Sequence, residues 1–325
     1  MSFRRILSAL AVVLLSPLVS VISAGASSPT TTPYSCARVP MSVPAGRGFT
    51  VSTTLDGSTV HFVAPSSTPI PTPYGGVPGD GRLTVATGST TSPTSLRLPT
   101  QFSGTALITL CLVPDGASPA VLVETYSGGA HCCVDTILFD RPSSRQPYRI
   151  ALLEALSENA LSSGPSRIPY DPNQGLSLRS LHGQSLFFGG DGNFPYTFGC
   201  YACTPSPLVI SALEGGRLVD VSSHYPALIR RDAGTLWSDV LASTSTSGGY
   251  ASLFGSLSAW VADECVLARG SAAWREVETM NSEGFLSDAR YHEAIFSPKG
   301  SFLPDLDHFL LTHGYCRGQI PVKVG

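Results

Sequence analysis

The chain has 325 residues, a formal net charge of −3 and only 13% charged residues, against 42% hydrophobic residues. This apolar content is enough for a sizeable folded core and excludes a globally disordered chain. Twenty Lys and Arg residues are outnumbered by 23 Asp and Glu residues, so the sequence lacks the basic excess of a nucleic-acid-binding protein, and we expect no nucleic-acid partner.

The N terminus, residues 1–26, has the three parts of a secretory signal peptide. They are the basic residues Arg4 and Arg5, the apolar run from Ile6 to Ile22, and the small-residue cleavage site Ala24-Gly25-Ala26. An uncleaved anchor is the alternative, but Pro17 and the shortness of the run disfavour a spanning helix, which needs about 20 apolar residues. We expect a secreted or cell-envelope protein with no membrane span after cleavage.

Residues 27–35 are rich in Ser, Thr and Pro, a composition typical of a flexible leader. The next region, residues 36–113, is predicted to be an N-terminal β region because β-branched and alternating apolar residues recur in it. Its predicted strands cover residues 49–55, 59–63 and 106–113, with Asp56-Gly57 as a hairpin turn. Prolines between residues 65 and 78 predict a loop.

The β pattern continues through residues 114–223. Strands are predicted at residues 120–126, 133–140, 148–153, 186–190, 207–213 and 217–222, with Gly-Gly turns at 127–130 and 214–216.

The apolar spacing becomes helical in residues 224–325, where stripes run over 227–241, 253–267 and 302–313 and Gly314 stands at a C-cap position. We therefore expect a mainly β protein with an all-α C-terminal region, of the α+β class. The expected architecture is an antiparallel β-sandwich or propeller-blade-like sheets followed by a three- to four-helix unit.

The chain has eight cysteines, all of them after the predicted cleavage site. An even number in an exported chain favours disulfides over free thiols. Cys36 and Cys111 bracket the N-terminal β region, and Cys265 and Cys316 both lie in the helical region. We expect a disulfide within each of these two pairs.

The other four cysteines are the adjacent Cys132 and Cys133 and the Cys-x-x-Cys pair of Cys200 and Cys203. Adjacent cysteines can bridge each other only through a strained ring, so bridges between the two sets are favoured. A metal site is the other interpretation, because His131 and these four cysteines are soft ligands. An oxidising compartment disfavours it by removing thiolates, and we predict no metal site.

One segment, Asp115-Gly116-Ala117-Ser118-Pro119 with the apolar residues 120–123, resembles the start of an FG-GAP or VCBS-type propeller blade. Residues 126–133 are similar to a signature of uncharacterised exported bacterial proteins with such blades, and residues 178–222 resemble a second blade that contains Gly190-Asp191-Gly192-Asn193-Phe194. The resemblance covers about residues 115–325. It implies blade-like sheets and a helical tail, and it implies no activity.

The chain departs from that family in its calcium loops, which need acidic oxygens spaced along the loop. The first loop keeps Asp115 and little else, and His182-Gly183-Gln184 stands where the second would have Asp-Gly-Asp. We therefore expect no bound calcium and no other cofactor.

Several enzyme motifs are absent from the sequence, namely the Gly-x-Ser-x-Gly nucleophile elbow, His-Glu-x-x-His and the glycine-rich phosphate loops. The polar candidates are Glu124, His131, Asp135 and Asp191. His131 beside a carboxylate could act as an acid–base pair near neutral pH. Alternatively, His131 ties down the glycine turn by hydrogen bonds, which makes residues 128–133 an architectural clamp.

Two functions are consistent with these observations. The favoured one is an exported, disulfide-stabilised, non-enzymatic binding or cell-envelope protein with an unknown extracellular or envelope ligand, because it explains the missing motifs and the eroded loops. The alternative is a secreted hydrolase that uses His131 with Glu124 or Asp191.

Overall fold

The strands of the chain precede its helices. The computed structural model describes residues 34–38, 49–64, 82–88, 93–98, 106–115, 118–126, 134–141, 143, 145–154, 169–170, 176–195, 197–199, 204–245, 250–294 and 300–320. The strands are β1 Ser35–Arg38, β2 Phe49–Leu55, β3 Ser58–Ala64, β4 Arg82–Thr87, β5 Thr94–Leu96, β6 Ala106–Val113, β7 Ala120–Tyr126, β8 Val134–Asp140, β9 Arg149–Glu154, β10 Pro169–Tyr170, β11 Ser177–Leu181, β12 Gln184–Asp191, β13 Leu208–Glu214 and β14 Arg217–Asp220. The helices are α1 Pro226–Ser245, α2 Tyr250–Val266, α3 Gly270–Ser282, α4 Asp288–Ala294 and α5 Phe302–Thr312.

All described strand pairs are antiparallel, and they form three sheets. The central sheet has the order β1-β6-β7-β8-β9, and the N-terminal sheet has the order β2-β3-β4-β5. The C-terminal sheet has the order β10-β12-β13-β14, with β11 paired to β12. Within the described residues these sheets form neither a closed barrel nor a propeller. The α+β expectation is therefore supported in its general form, as antiparallel sheets followed by helices.

The central sheet is buried on both faces. Leu110 and Leu112 of β6 join a core with the N-terminal sheet, including Val60 and Phe62. The alternate β6 residues, Cys111 and Val113, belong to a second core shared with the C-terminal sheet. Successive side chains of a strand point to opposite faces, so a strand covered on both sides is mainly apolar. This explains why the sequences of β6 and β7 are mostly apolar.

The helices lie on the side of the C-terminal sheet that faces away from the central sheet. Leu186, Phe188 and Ile210 of that sheet share a core with Ile229 of α1. The helices then form their own core, into which Phe194 extends from the segment after β12. Of the helices in the described part of the chain, none is both long and apolar enough to cross a membrane.

The described part of the helical region contains five α-helices, more than the expected three or four. The predicted stripes correspond to α1, α2 and α5. The additional helices are α3, which buries Trp274 and Val277, and the short α4, which buries Tyr291 alone. Gly314 follows α5 with φ +82°, and the Tyr315 amide donates to the Leu310 carbonyl (2.8 Å), which confirms the predicted C-cap.

The Asp56-Gly57 hairpin turn between β2 and β3 is confirmed. His182-Gly183 connects β11 and β12 in the same way, with φ of +51° and +78° at the two turn residues. A two-residue turn of this hand needs positive φ at both positions, which glycine adopts readily. His182-Gly183-Gln184 is therefore a tight hairpin, and its interpretation as an eroded calcium loop is corrected.

Two disulfides cross-link the described residues, and they join the pairs expected from the sequence. Cys36 of β1 lies directly opposite Cys111 of β6 and is bonded to it. Cys265 near the end of α2 is bonded to Cys316, which follows α5. Strand β1 begins at Ser35, and the Tyr34 hydroxyl donates to the Leu178 carbonyl (2.9 Å), so the chain is already ordered at the end of the predicted leader.

We predict that Gly270→Ala destabilises the protein by about 1–3 kcal/mol through overpacking. Gly270 begins α3, and a Cβ there would lie 2.6 Å from Cys265 Sγ and 2.9 Å from Gln319 Oε1. Gly234→Ala in α1 is the matched control, because a Cβ there meets no atom within 4 Å. Removing a helical glycine should stabilise that variant by about 0.5–1 kcal/mol. Urea unfolding of both variants measures the difference, and a Gly270→Ala protein as stable as the wild type would contradict the packing.

Candidate functional site

Glu124, one of the candidates from the sequence, lies on β7 and is almost fully buried, with 3% of its surface exposed. Its Oε1 accepts a hydrogen bond from the Leu176 amide (2.6 Å), at the start of the segment leading into β11. Asp135 is also buried, on β8 opposite Thr125. Glu124 thus anchors main chain of the C-terminal sheet to the central sheet.

Asp191 ends β12 and is completely buried. Its Oδ1 accepts hydrogen bonds from the amide (2.9 Å) and the side-chain Nδ2 (2.7 Å) of Asn193. Its Oδ2 accepts a hydrogen bond from the hydroxyl of Tyr315 (2.7 Å), which follows α5. Asp191 therefore fixes the turn after β12 and attaches the C-terminal sheet to the end of the helical region.

The carboxylates of Glu124 and Asp191 each accept hydrogen bonds from their own donors. The third member of the hypothetical acid–base group, His131, lies outside the described residues, as do Cys132, Cys133, Cys200 and Cys203. The architectural clamp at residues 128–133 and the bridges among these cysteines stay predictions.

A pair of aspartates that the sequence did not single out as a pair lies at one end of the central sheet. Asp115 follows β6, and Asp140, completely buried, ends β8. The charge of Asp140 acts on the Asp115 carboxyl. Among the described residues, no donor hydrogen-bonds to Asp115 Oδ2 or to either Asp140 oxygen. Two neighbouring carboxylates repel each other when both are ionised, so a proton on one of them is favoured.

The surroundings of this pair favour that proton. Burial and the Asp140 carboxyl beside it raise the pKa of Asp115 to about 7, and the Gly216 amide partly offsets the effect. Arg149 supplies a nearby positive charge, with its Nε 3.7 Å from Asp140 Oδ2. Its side chain is half-exposed, so its attraction is screened by water.

The β13–β14 turn packs directly against this pair. A Cβ at Gly216 would lie 2.7 Å from Cγ of Asp140 and 2.8 Å from a terminal nitrogen of Arg149. Arg149 also donates a long hydrogen bond to the Gly215 carbonyl (3.5 Å). The turn therefore requires glycine at residue 216 for two reasons, its positive φ of +77° and the closeness of Asp140.

A second pair of aspartates lies between the first two helices. Asp232 of α1 lies beside Asp263 of α2, and its Oδ2 accepts a hydrogen bond from the Leu208 amide (3.1 Å) at the start of β13. Burial raises the pKa of Asp232, while Asp263 and the hydrogen bond from the Leu208 amide act in the opposite direction.

Asp115 and Asp232 hold a proton more readily than an exposed aspartate does, because the pKa of each is raised. The described ranges contain no group of three or more His, Cys, Asp or Glu side chains placed to hold a metal ion.

The comparisons with known proteins give partial matches. The chain is 27% identical over 166 residues to a probable thylakoid lumen protein of Synechocystis sp., which is 50% of this chain and 43% of that protein. It is also 27% identical over 165 residues to an uncharacterized protein of Sinorhizobium fredii, which is 50% of this chain and 23% of that protein. The chain thus spans less than half the length of these relatives.

No protein-family model matches the chain, including any for FG-GAP repeats, and no solved structure matches it. The resemblance found in the sequence is therefore supported only in its coarser form, a partial similarity to a probable thylakoid lumen protein and to an uncharacterized bacterial protein.

We predict that Tyr315→Phe lowers the free energy of unfolding by about 1–3 kcal/mol, because it removes a donor from the buried carboxylate of Asp191. Tyr225→Phe is the matched control, since its hydroxyl donates only a long, exposed hydrogen bond to Gln184 Oε1 (3.4 Å). That variant should stay within about 0.5 kcal/mol of the wild type. Equal stability of the two variants in urea unfolding would contradict the anchoring role of Asp191.

We also predict that Gly216→Ala is more damaging than Gly183→Ala. Both glycines are the second residue of a two-residue hairpin turn, with φ of +77° and +78°. Placing alanine at this positive φ should therefore destabilise both variants by the same amount. Only at Gly216 does the new methyl group displace Asp140, because the space around Gly183 is open. The free energy of unfolding of Gly216→Ala is expected to be lower than that of Gly183→Ala by about 1–3 kcal/mol. Equal unfolding free energies of the two variants would show that the turn is not packed tightly against Asp140.

Proposed function

We propose that this protein is exported, is stabilised by disulfides, and binds a ligand of the extracellular space or cell envelope without catalysing a reaction. The observation that carries the proposal is the state of the two candidate catalytic carboxylates. Glu124 and Asp191 are buried, at 3% and 0% exposure, and both are bound by protein donors. A general base must reach a substrate proton, and these groups instead stabilise the fold.

Export is supported by three independent features. The chain begins with a basic and apolar segment that ends in small residues, and two disulfides are typical of an oxidising compartment. The similarity to a probable thylakoid lumen protein points to the same kind of compartment, although it covers half of this chain.

The finer architectural expectation remains part of this proposal. Residues 114–223 contain two β units of FG-GAP-like sequence, and we propose that they are degenerate members of that group. The sandwich-like stacking of the sheets around the central sheet supports a binding scaffold, because such a scaffold leaves its loops free to vary.

The test has a localisation arm and an activity arm. Expressed with its own leader in a bacterial host, the protein is expected outside the cytoplasm, beginning at Ser27 and with Cys36–Cys111 and Cys265–Cys316 bridged. Mass spectrometry of non-reduced peptides measures all three properties. An exported protein that retains Met1, or a protein confined to the cytoplasm, would contradict the localisation.

In the activity arm, the purified protein is assayed on generic ester, phosphate and glycoside substrates, and no turnover above that of a heat-denatured sample is expected. Turnover by the wild type would contradict the non-enzymatic function. Glu124→Gln and Asp191→Asn, assayed beside their melting curves, would then identify the carboxylate, since a catalytic group abolishes turnover in the fraction of protein that remains folded.

A further inference from the structure

Residues 34–38, which are Tyr34 and strand β1, contact all three sheets. Strand β1 pairs with β6 at the edge of the central sheet. The Ser35 hydroxyl lies 2.6 Å from the hydroxyl of Thr53 on β2, in the N-terminal sheet. The Tyr34 hydroxyl donates to the Leu178 carbonyl (2.9 Å) on β11, in the C-terminal sheet. We call residues 34–38 the strap, because this short segment connects the three sheets.

The strap is held to the central sheet by a disulfide. Cys36 lies directly opposite Cys111 of β6 and is bonded to it. Strand β1 has four residues and, within the described part of the chain, pairs with β6 alone, so its main-chain ladder is short. Its other described attachments are the two hydrogen bonds above and the packing of Ala37 on the core of the N-terminal sheet. Each such contact contributes modestly, so the disulfide is the strongest attachment of the strap.

The two bridges of the described residues differ in how easily a reductant reaches them. Cys36 is exposed, whereas its partner Cys111 is buried, at 1%. Both members of the Cys265–Cys316 bridge are buried in the helical core, at 5% and 3%. A disulfide is reduced by attack of a thiolate on one of its sulfurs, so the rate depends on access. Cys36 therefore offers a point of attack that the second bridge lacks.

A positive charge lies on the same face of β1 as this point of attack. Arg38 follows Cys36 by two residues, so the two side chains of the strand point in the same direction. Arg38 is exposed as well. The attacking group is an anionic thiolate, and a guanidinium nearby favours its approach. Exposure and charge thus both favour attack on Cys36, with Cys111 as the leaving group.

We propose that the Cys36–Cys111 bridge is a redox-sensitive lock on the strap. A dithiol reductant opens this bridge while Cys265–Cys316 stays closed, and the strap then separates from β6. The lock is a conformational device that adds a response to reductants to a scaffold whose other described bridge is protected by burial.

The exchange has two steps. One thiolate of the reductant attacks Cys36 Sγ, the S–S bond breaks, and its electron pair leaves with Cys111 Sγ, which takes up a proton. The second thiol of the reductant then displaces Cys36 from the mixed disulfide. The reductant ends as a disulfide, and the protein has gained two electrons and two protons as two thiols.

Opening the bridge favours detachment of the strap. Cys36 and Cys111 are separated by 75 positions in the sequence, so the bridge closes a long loop that restricts the detached chain. Losing a bridge of this kind shifts such an equilibrium by about 30-fold or more. Detachment leaves the N–H and C=O groups of β6 that face β1 without their partners. The reduced protein therefore presents a free sheet edge that the oxidised protein covers.

The first experiment compares the reduction rates of the two bridges in the native wild-type protein. Dithiothreitol is added without denaturant, free thiols are trapped with N-ethylmaleimide at intervals, and peptide mapping assigns them. We expect Cys36–Cys111 to open at least about tenfold faster than Cys265–Cys316, because only the former has an exposed cysteine. Equal rates, faster opening of Cys265–Cys316, or a Cys36–Cys111 bridge that opens only when the protein unfolds would overturn the proposal.

The second experiment locates the structural effect by amide hydrogen exchange and mass spectrometry. It compares the oxidised wild-type protein with the protein whose Cys36–Cys111 bridge has been opened. Protection of the strap is expected to fall by about 30-fold or more on reduction. Strand β7, an inner strand of the same sheet, is expected to keep its protection. Unchanged protection of the strap, or a parallel loss in β7, would overturn the proposal.

Variants separate the lock from other effects of the reductant. Cys36→Ser combined with Cys111→Ala removes the bridge, so without reductant its strap should exchange as in the reduced wild type, and dithiothreitol should change it no further. The matched control, Cys265→Ser combined with Cys316→Ala, should keep a protected strap until reductant is added. If either variant does not fold, the two wild-type experiments decide. A strap that stays protected in the folded Cys36→Ser/Cys111→Ala protein would overturn the proposal.

Discussion

The burial of the central sheet on both faces is the constraint on which the rest of the structure depends. Strands β6, β7 and β8 present apolar side chains to both sides, so the sheet cannot be stable with one face in water. The N-terminal sheet covers one face and the C-terminal sheet covers the other. The C-terminal sheet in turn presents Phe188 and Ile210 on its outer side, and the helices cover that side. Each layer is thus required by the one before it.

A stack of this kind has consequences for polar groups. An acidic residue inside it loses its hydration and must find donors or a proton. Glu124 and Asp191 have donors in Leu176, Asn193 and Tyr315. Asp115 and Asp140 lie where few donors are available, and burial together with the charge of Asp140 raises the pKa of Asp115 to about 7. Some of the few charged residues of the chain are therefore buried, where they hold neighbouring layers together.

The sequence predicted what depends on local pattern. Strands β2, β6 and β7 match their predicted ranges because runs of apolar and β-branched residues identify a strand by themselves. Strand β4 was missed, since its alternation of Leu83 and Val85 is short and is stabilised by pairing with β3. The predicted boundary at residue 113 falls between the paired strands β6 and β7. Asp191 was identified as a polar candidate, whereas the aspartate pairs were not, because sheet register and helix packing bring their members together.

Covalent and non-covalent attachments hold different parts of the molecule. Cys36–Cys111 holds β1 to β6, and Cys265–Cys316 holds the end of α2 to the segment after α5. Neither of these two bridges includes β13 or β14, whose described attachments are hydrogen bonds and packing. The two bridges therefore fix β1 and the helical region covalently, whereas the β13–β14 hairpin is held by its neighbouring layers.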